Sequence, residues 1–147
     1  MKIVLVLSAL AALAAYPAAS RLHAQESGAT AASANLDYEF FKTKIQPIFL
    51  AKRPGHARCV SCHSQGTPMR LQELSAGAAT WNEEQSKKNF DMVRKFVNPN
   101  DPMKSMLLVH PLATTAGGDL FHNGGKHWTS QSDPEWQTLL AWAKGKR

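Results

Sequence analysis

The two cysteines of this 147-residue chain, Cys59 and Cys62, are separated by only two residues, and His63 follows the second directly. Two thiols and a histidine in this order form the C-x-x-C-H sequence that attaches haem covalently. Each sulfur can add to one vinyl group of the porphyrin, and the imidazole of His63 can bind the iron. The motif therefore predicts one haem c held by Cys59, Cys62 and His63. Such a link would retain a large cofactor in a protein too small to bury it completely.

Other interpretations of the cysteine pair are open. Outside the cytoplasm, C-x-x-C can be a disulfide or a thioredoxin-like redox pair, but no strand is predicted before Cys59. A zinc site would need four ligands, so Cys59 and Cys62 would have to recruit distant histidines. A chance match is the remaining alternative. The adjacent histidine and the exported character of the chain favour haem.

The N-terminus has the three parts of a secretory signal peptide. A positive start at Lys2 precedes an apolar run over 3–15 that only Ser8 interrupts, and small residues follow up to Ala24. The run is shorter than the ~20 residues that a membrane-spanning helix needs, although a retained anchor is the alternative. We expect a signal peptide over 1–24, cleaved after Ala24 or Ser20, and a periplasmic or extracellular protein.

The remaining chain divides into a flexible lead over 25–35, rich in small polar residues, and one domain over 36–147. Removing 1–24 takes away Lys2 and Arg21 and no acid, so the formal charge falls from +6 to +4. A moderate positive charge fits steering toward acidic redox partners. We expect no nucleic-acid binding, because no basic run is interleaved with aromatics, and no membrane span after the signal peptide is removed.

Apolar periodicity predicts a mostly helical domain. The first helix covers 35–52, with Asn35 as its N-cap and Pro47 as the site of a kink or a second short turn. Its apolar face holds residues 36, 40, 41, 45, 48 and 49. A long loop is expected over 114–132 and one short extended piece over 69–74. Further helices are expected over 80–100, 101–111 and 132–145, with capping boxes Thr80–Glu83 and Ser132–Glu135 and with Asp101 as the cap of the middle one.

The second axial ligand of the iron decides its chemistry. His122 is our first candidate, because it lies in the loop sequence FHNGGKHW, where Gly124 and Gly125 allow the backbone to approach a flat ring closely. Two histidines would give a lower reduction potential than a histidine–methionine pair. The other candidates are His127, Met103, Met106 and His110, of which the last three are expected to share one helix face.

The order helix, C-x-x-C-H, ligand loop and closing helix resembles a class I cytochrome c. In particular it resembles the exported cytochrome c domains common in planctomycetes and acidobacteria, which typically have a QPI step before the motif and often an H-x-G-G loop and a final DP-x-(W/Y)-Q-x-L-x-x-W helix. These match 46–48, 122–125 and 133–142, and the resemblance covers about 37–144. It implies an all-α domain whose first and last helices pack around the haem. Phe40 or Phe41 would then meet Trp136 or Leu140. One departure is that no methionine follows Met106, whereas a class I cytochrome uses a loop methionine as its second ligand.

Together these features predict an exported monohaem cytochrome that carries one electron at a time and is not an enzyme. Basic residues such as Lys87, Lys88 and Lys126 are candidates for the rim of an exposed haem edge. Two alternatives stay open: a haem subunit of a larger oxidoreductase or redox assembly, including one formed by self-association, and a peroxidase or gas-binding protein with an open sixth site.

Overall fold

The computed structural model describes residues 36–147, so the expectations for 1–24, 25–35 and Asn35 lie outside the described residues. This part contains no strand and only one isolated bridge, between Leu112 and Trp128, so the all-α class is confirmed for it. Three 3₁₀ turns are Arg94–Phe96, Pro102–Lys104 and Thr114–Ala116. The main helices are α1 (Tyr38–Phe40, Phe41–Ile45 and Gln46–Leu50), α2 (Cys59–His63), α3 (Glu83–Val93), α4 (Met106–Val109) and α5 (Pro134–Ala143).

Helix α1 contains a π-helical turn, Phe41–Ile45, and a short α-helical segment with Pro47 in its first turn follows, as one of the two expectations for this proline had it. The amide of Gln46 donates to the carbonyl of Phe41, five residues earlier. In a regular α-helix the ring of Pro47 would clash with the carbonyl of Thr43, four residues earlier, and that carbonyl would lose its donor. A wider turn before the proline relieves this conflict, and the helix then continues through Leu50. Its N-cap is Asp37, whose carboxylate accepts from the amide of Phe40.

The predicted cap of α3 was wrong. Asn82 caps this helix by accepting from the amide of Gln85 at 2.9 Å, and the Gln85 side chain accepts from the Asn82 amide at 3.0 Å. Glu83, expected to pair with Thr80, forms an ion pair with Lys42 of α1 instead. The helix cap therefore lies two residues later than expected, and the glutamate joins two helices.

The predicted cap of α5 was wrong for a similar reason. Asp133 caps α5 by accepting from the amide of Glu135 at 2.9 Å, in place of Ser132. The Glu135 side chain is engaged elsewhere, because it accepts from Arg53 Nε at 2.7 Å and from Trp128 Nε1 at 3.2 Å.

The first and last helices pack together, and Phe41, one of the residues expected at this contact, meets Trp142. The Phe41 and Trp142 rings, both fully buried, have centroids 5.4 Å apart. Trp142 Nε1 donates to the carbonyl of Asp37 at 2.9 Å, which fixes the end of α5 against the start of α1. Trp136 faces α4 instead and donates to the carbonyl of Leu108 at 3.2 Å.

The segment expected as one helix over 101–111 is broken at Ser105. This residue is extended, with ψ 130°, between the Pro102–Lys104 turn and α4. Its hydroxyl accepts from the amide of Asn98 at 3.0 Å. Met103 and Met106 therefore do not share one helix face, and no strand forms over 69–74. Within residues 36–147 no helix has both the length and the apolar character needed to cross a bilayer.

Candidate functional site

A cavity of about 650 Å³ lies between α2, α4 and the loop 121–128. Its volume falls in the range of roughly 300–1,000 Å³ typical of cofactor sites. Two groups of side chains share the lining. The apolar part includes Phe49, Pro68, Met69, Phe96, Leu107 and Trp128. The part with ligating or nucleophilic atoms is Cys59, Cys62, His63, His110, His122 and His127.

Helix α2 places both thiols on the cavity. Cys59 is half-buried and Cys62 is exposed, and neither forms a disulfide. Burial raises the pKa of the Cys59 thiol, and the nearby Arg53 guanidinium, with Nη1 3.8 Å from Sγ, partly opposes that rise. Arg53 also forms an ion pair with Glu135 of α5. Arg53 therefore links the loop before α2 to the last helix, next to Cys59.

His63, the last residue of α2, has one ring nitrogen engaged. Its Nδ1 donates to the carbonyl of Met69 at 2.8 Å and lies 3.0 Å from Thr67 Oγ1, which itself donates to the same carbonyl at 3.0 Å. The bonded Nδ1 fixes the ring orientation and leaves Nε2 as the nitrogen available to bind a metal. Metal-ligating histidines in proteins are typically held in this way.

His122 is held in the same manner by its own loop. Its Nδ1 donates to the carbonyl of Gly125, whose φ of +82° is the left-handed conformation that glycine adopts without strain. A Cβ at Gly124 would lie 3.3 Å from His122 Cε1, so the glycine leaves room for the ring. Burial is the main cause that lowers the pKa of His122, which favours a neutral imidazole.

The rings of His63 and His122 lie close together and are nearly parallel. Their centroids lie 6.2 Å apart and their planes differ by 22°. Two imidazoles that bind one metal ion from opposite sides, with bonds of about 2 Å, have centroids roughly 6 Å apart. The predicted proximal residue and the first candidate for the second ligand are therefore brought to a separation that can accommodate one metal ion between them.

The remaining ligand candidates differ in position. His127 and Met106 line the cavity, whereas Met103 does not. The His127 ring lies 5.6 Å from that of His122 and 4.8 Å from that of His56. Its buried Nδ1 has no hydrogen-bond partner, so it lacks the support that His63 and His122 receive. Burial, with Arg53 next in size, lowers the pKa of His127 to about 4.

His110 also lines the cavity, at the end of α4. Its Nδ1 interacts with the carboxylate of Asp119, and Lys126 donates to the carbonyls of both residues. This cluster fastens the loop 119–126 to α4. Asp119 and Thr67 were not predicted as parts of the site. The spacing of Thr67 from His63, four residues, was the only signal for it, whereas nothing local marked Asp119.

Two of the three lysines expected at the rim of the haem edge lie away from the cavity. Lys87 and Lys88 pair with Glu83 and Glu84 along α3 and are absent from the cavity lining. Lys126 is close to the site through its contacts with His110 and Asp119. Arg58, which was not predicted as a rim cation, lines the cavity.

The described part of the chain contains no group of three or more His, Cys, Asp or Glu side chains arranged to hold a bare metal ion. A haem iron takes four ligands from the porphyrin and needs at most two from the protein. Comparison of the whole chain with protein-family models, curated proteins and solved structures gives no match.

Proposed function

We propose that this chain is an exported monohaem cytochrome c that carries single electrons between redox proteins. In this proposal Cys59 and Cys62 hold the porphyrin through thioether bonds. His63 and His122 are the two axial ligands. The observation that carries the proposal is the close pair of imidazoles, His63 and His122, in a cavity that both thiols line.

The rest of the cavity fits a flat, mainly apolar group with acidic edges. Apolar atoms make up most of its lining, and Arg58 is there without any carboxylate. An arginine without a competing acid suits the carboxylates of a porphyrin. The thiols are not consumed in a disulfide, so both are available for attachment.

When bound, haem supplies a metal centre that exchanges one electron between its ferric and ferrous states. The chain's residues would keep that centre rigid and coordinatively saturated. Thr67 and the carbonyl of Met69 orient His63, and the carbonyl of Gly125 orients His122. Saturated, fixed ligands favour electron transfer over substrate binding, because no coordination position is left open.

A redox titration followed by visible spectroscopy tests the proposal. The chain would be expressed with its leader and a cytochrome c maturation system, beside the Cys59→Ser/Cys62→Ser double variant. We expect a reversible one-electron transition with low-spin spectra in the wild type and no stable pigment in the variant. A high-spin spectrum of the ferric protein, together with carbon monoxide binding by the reduced protein, would favour the open-site alternative. Absence of pigment from both proteins would refute the proposal.

A further inference from the structure

The turn that holds His122 in place has Asn123 and Gly124 at its centre. The amide of Gly125 donates to the carbonyl of His122 at 3.1 Å, which closes a four-residue turn. The carbonyl of Gly125 accepts from Nδ1 of the His122 ring across the same turn. A change in the main chain between residues 123 and 124 would therefore alter the position of the imidazole proposed as the second axial ligand.

An asparagine followed by glycine is the sequence in which asparagine deamidates most readily. The main-chain nitrogen of the glycine attacks the side-chain amide carbon of the asparagine, a cyclic succinimide forms, and ammonia leaves. Water then opens the ring at either of its carbonyl carbons, which gives aspartate or isoaspartate. The glycine favours the attack because it has no Cβ to restrict the main-chain rotation that brings the nitrogen to the amide carbon. The reaction consumes water and releases ammonia, so it needs no oxidant or reductant.

The structure leaves the reacting groups of Asn123 and Gly124 accessible. Both residues are exposed. Within residues 36–147 the amide of Gly124 donates to no backbone carbonyl, so the attacking nitrogen need not break such a bond first. Exposed turns of small and polar residues are also among the segments of a native protein that open most easily. These features favour formation of the succinimide in the folded chain.

The other asparagines in the described part of the chain lack this combination. Asn100 is also exposed, but the amide of the next residue, Asp101, donates to Asn98 Oδ1 at 3.1 Å. Asn98 precedes a proline, whose nitrogen carries no hydrogen and cannot form the succinimide. The side-chain oxygens of Asn82 and Asn89 accept from backbone amides at 2.9 and 2.7 Å. The Asn-Gly pair is therefore the place where deamidation is most favoured.

We propose that Asn123 is a site of spontaneous deamidation and that isoaspartate at this position releases His122 from the iron; the second part rests on the ligation proposed above. In isoaspartate the main chain runs through the side-chain carbon, which adds a methylene group between residues 123 and 124. A turn this short cannot absorb the extra atom and still hold the Gly125 carbonyl against the His122 ring. Aspartate, the other product, keeps the main chain and adds a negative charge near the iron, which favours the ferric state.

Timed incubation of the ferric holoprotein in mildly alkaline buffer tests the modification. Alkaline buffer speeds the reaction because the attacking nitrogen must lose its proton. Each sample is divided for peptide mass mapping, for enzymatic methylation of isoaspartyl carboxylates and for an absorption spectrum. We expect Asn123 to be converted several times faster than Asn100, the exposed internal reference. The high-spin fraction of the ferric haem should rise in parallel with the isoaspartate fraction.

Two variants separate the effects of the two products. Asn123→Ser cannot form a succinimide, so its ferric spectrum should stay low-spin through the same incubation. Asn123→Asp contains the aspartate product alone before incubation. It should be low-spin, with a reduction potential below that of the wild type.

The outcomes distinguish this inference from the function on which its second part rests. Conversion of Asn123 no faster than that of Asn100 would refute the modification site. Isoaspartate that accumulates while the ferric spectrum stays low-spin would refute the link between the turn and the ligand. A freshly purified holoprotein that is already high-spin refutes ligation by His122 instead, and a chain without haem refutes the electron-carrier function itself.

Discussion

At the scale of single residues, the site depends on hydrogen bonds that hold two imidazoles. His63 and His122 come from distant parts of the chain, yet each has its Nδ1 bonded to a backbone carbonyl, of Met69 and Gly125 respectively. The bonds set the tautomer, because a carbonyl accepts only from a protonated Nδ1. In the neutral ring this leaves Nε2 unprotonated, the form in which imidazole binds a metal.

Replacing His122 and His127 one at a time tests which loop histidine binds the iron. We expect His122→Ala to give a high-spin ferric holoprotein that binds carbon monoxide after reduction. His127→Ala should keep the low-spin spectrum, because His127 has no hydrogen bond at its buried Nδ1 to orient it. The absorption spectra of the two variants would show which histidine is the second axial ligand. The opposite pattern would make His127 the ligand.

Thr67 offers a way to change the proximal ligand without touching the motif. Its hydroxyl lies 3.0 Å from His63 Nδ1, and such bonds strengthen the imidazole as a donor to the metal. A stronger donor favours the ferric state, so Thr67→Val should raise the reduction potential while the spin state is retained. Thr67→Ser should keep the wild-type potential. The hydroxyl has no influence on the ligand if the three proteins titrate at the same potential.

At the scale of elements, the loop that carries His122 is fastened to the segment before it. The amide of Asp119 donates to the carbonyl of Val109 at 3.1 Å, and the amide of His127 donates to that of Pro111 at 2.8 Å. Gly118 lies at the centre of this contact. A Cβ there would come within 1.9 Å of the Leu112 carbonyl oxygen, a backbone atom that cannot rotate away.

Gly118→Ala should therefore displace the loop and weaken the bond from His122. We expect a mixed-spin or high-spin ferric spectrum and lower thermal stability. Gly77→Ala is the control, since nothing lies within 4 Å of a Cβ at Gly77 and the cost is confined to backbone strain at φ +75°. Its spectrum should remain that of the wild type. A normal low-spin spectrum for Gly118→Ala would show that the loop position does not determine ligation.

The contact between α1 and α5 contributes to the free energy of unfolding. Trp142→Ala removes a fully buried ring packed on Phe41 and a hydrogen bond to Asp37. Such a truncation typically costs about 3–5 kcal/mol. Urea unfolding of the holoprotein would measure it, with exposed Lys144→Ala expected to change stability by less than about 0.5 kcal/mol. Equal unfolding midpoints for Trp142→Ala and the wild type would mean that this contact contributes little to stability.

Helix positions were predictable from the sequence to the extent that local periodicity determines them. The apolar stripes located α1, α3 and α5. The caps were not predictable, because Glu83 and Glu135 form ion pairs with Lys42 and Arg53, residues far away in the chain. The π-helical turn before Pro47 also escaped prediction, since a proline in a helix permits a kink, a break or a wider turn.

At the scale of the whole molecule, the site joins a local motif to distant residues. Cys59, Cys62 and His63 are recognisable in any context because five consecutive residues contain them. The position of His122 close to His63 depends on the fold, and the sequence alone left four other candidates for the second ligand. Asp119 gains its role only once the loop 119–126 lies against α4.

The central claim is that one porphyrin is covalently bound to Cys59 and Cys62. The intact mass of the denatured, purified chain, measured after expression with a maturation system, tests it most directly. The account predicts the mass of the processed chain plus one haem, and the processed chain alone for Cys59→Ser/Cys62→Ser. A wild-type mass equal to that of the bare polypeptide, from cells that mature another cytochrome c normally, would contradict it.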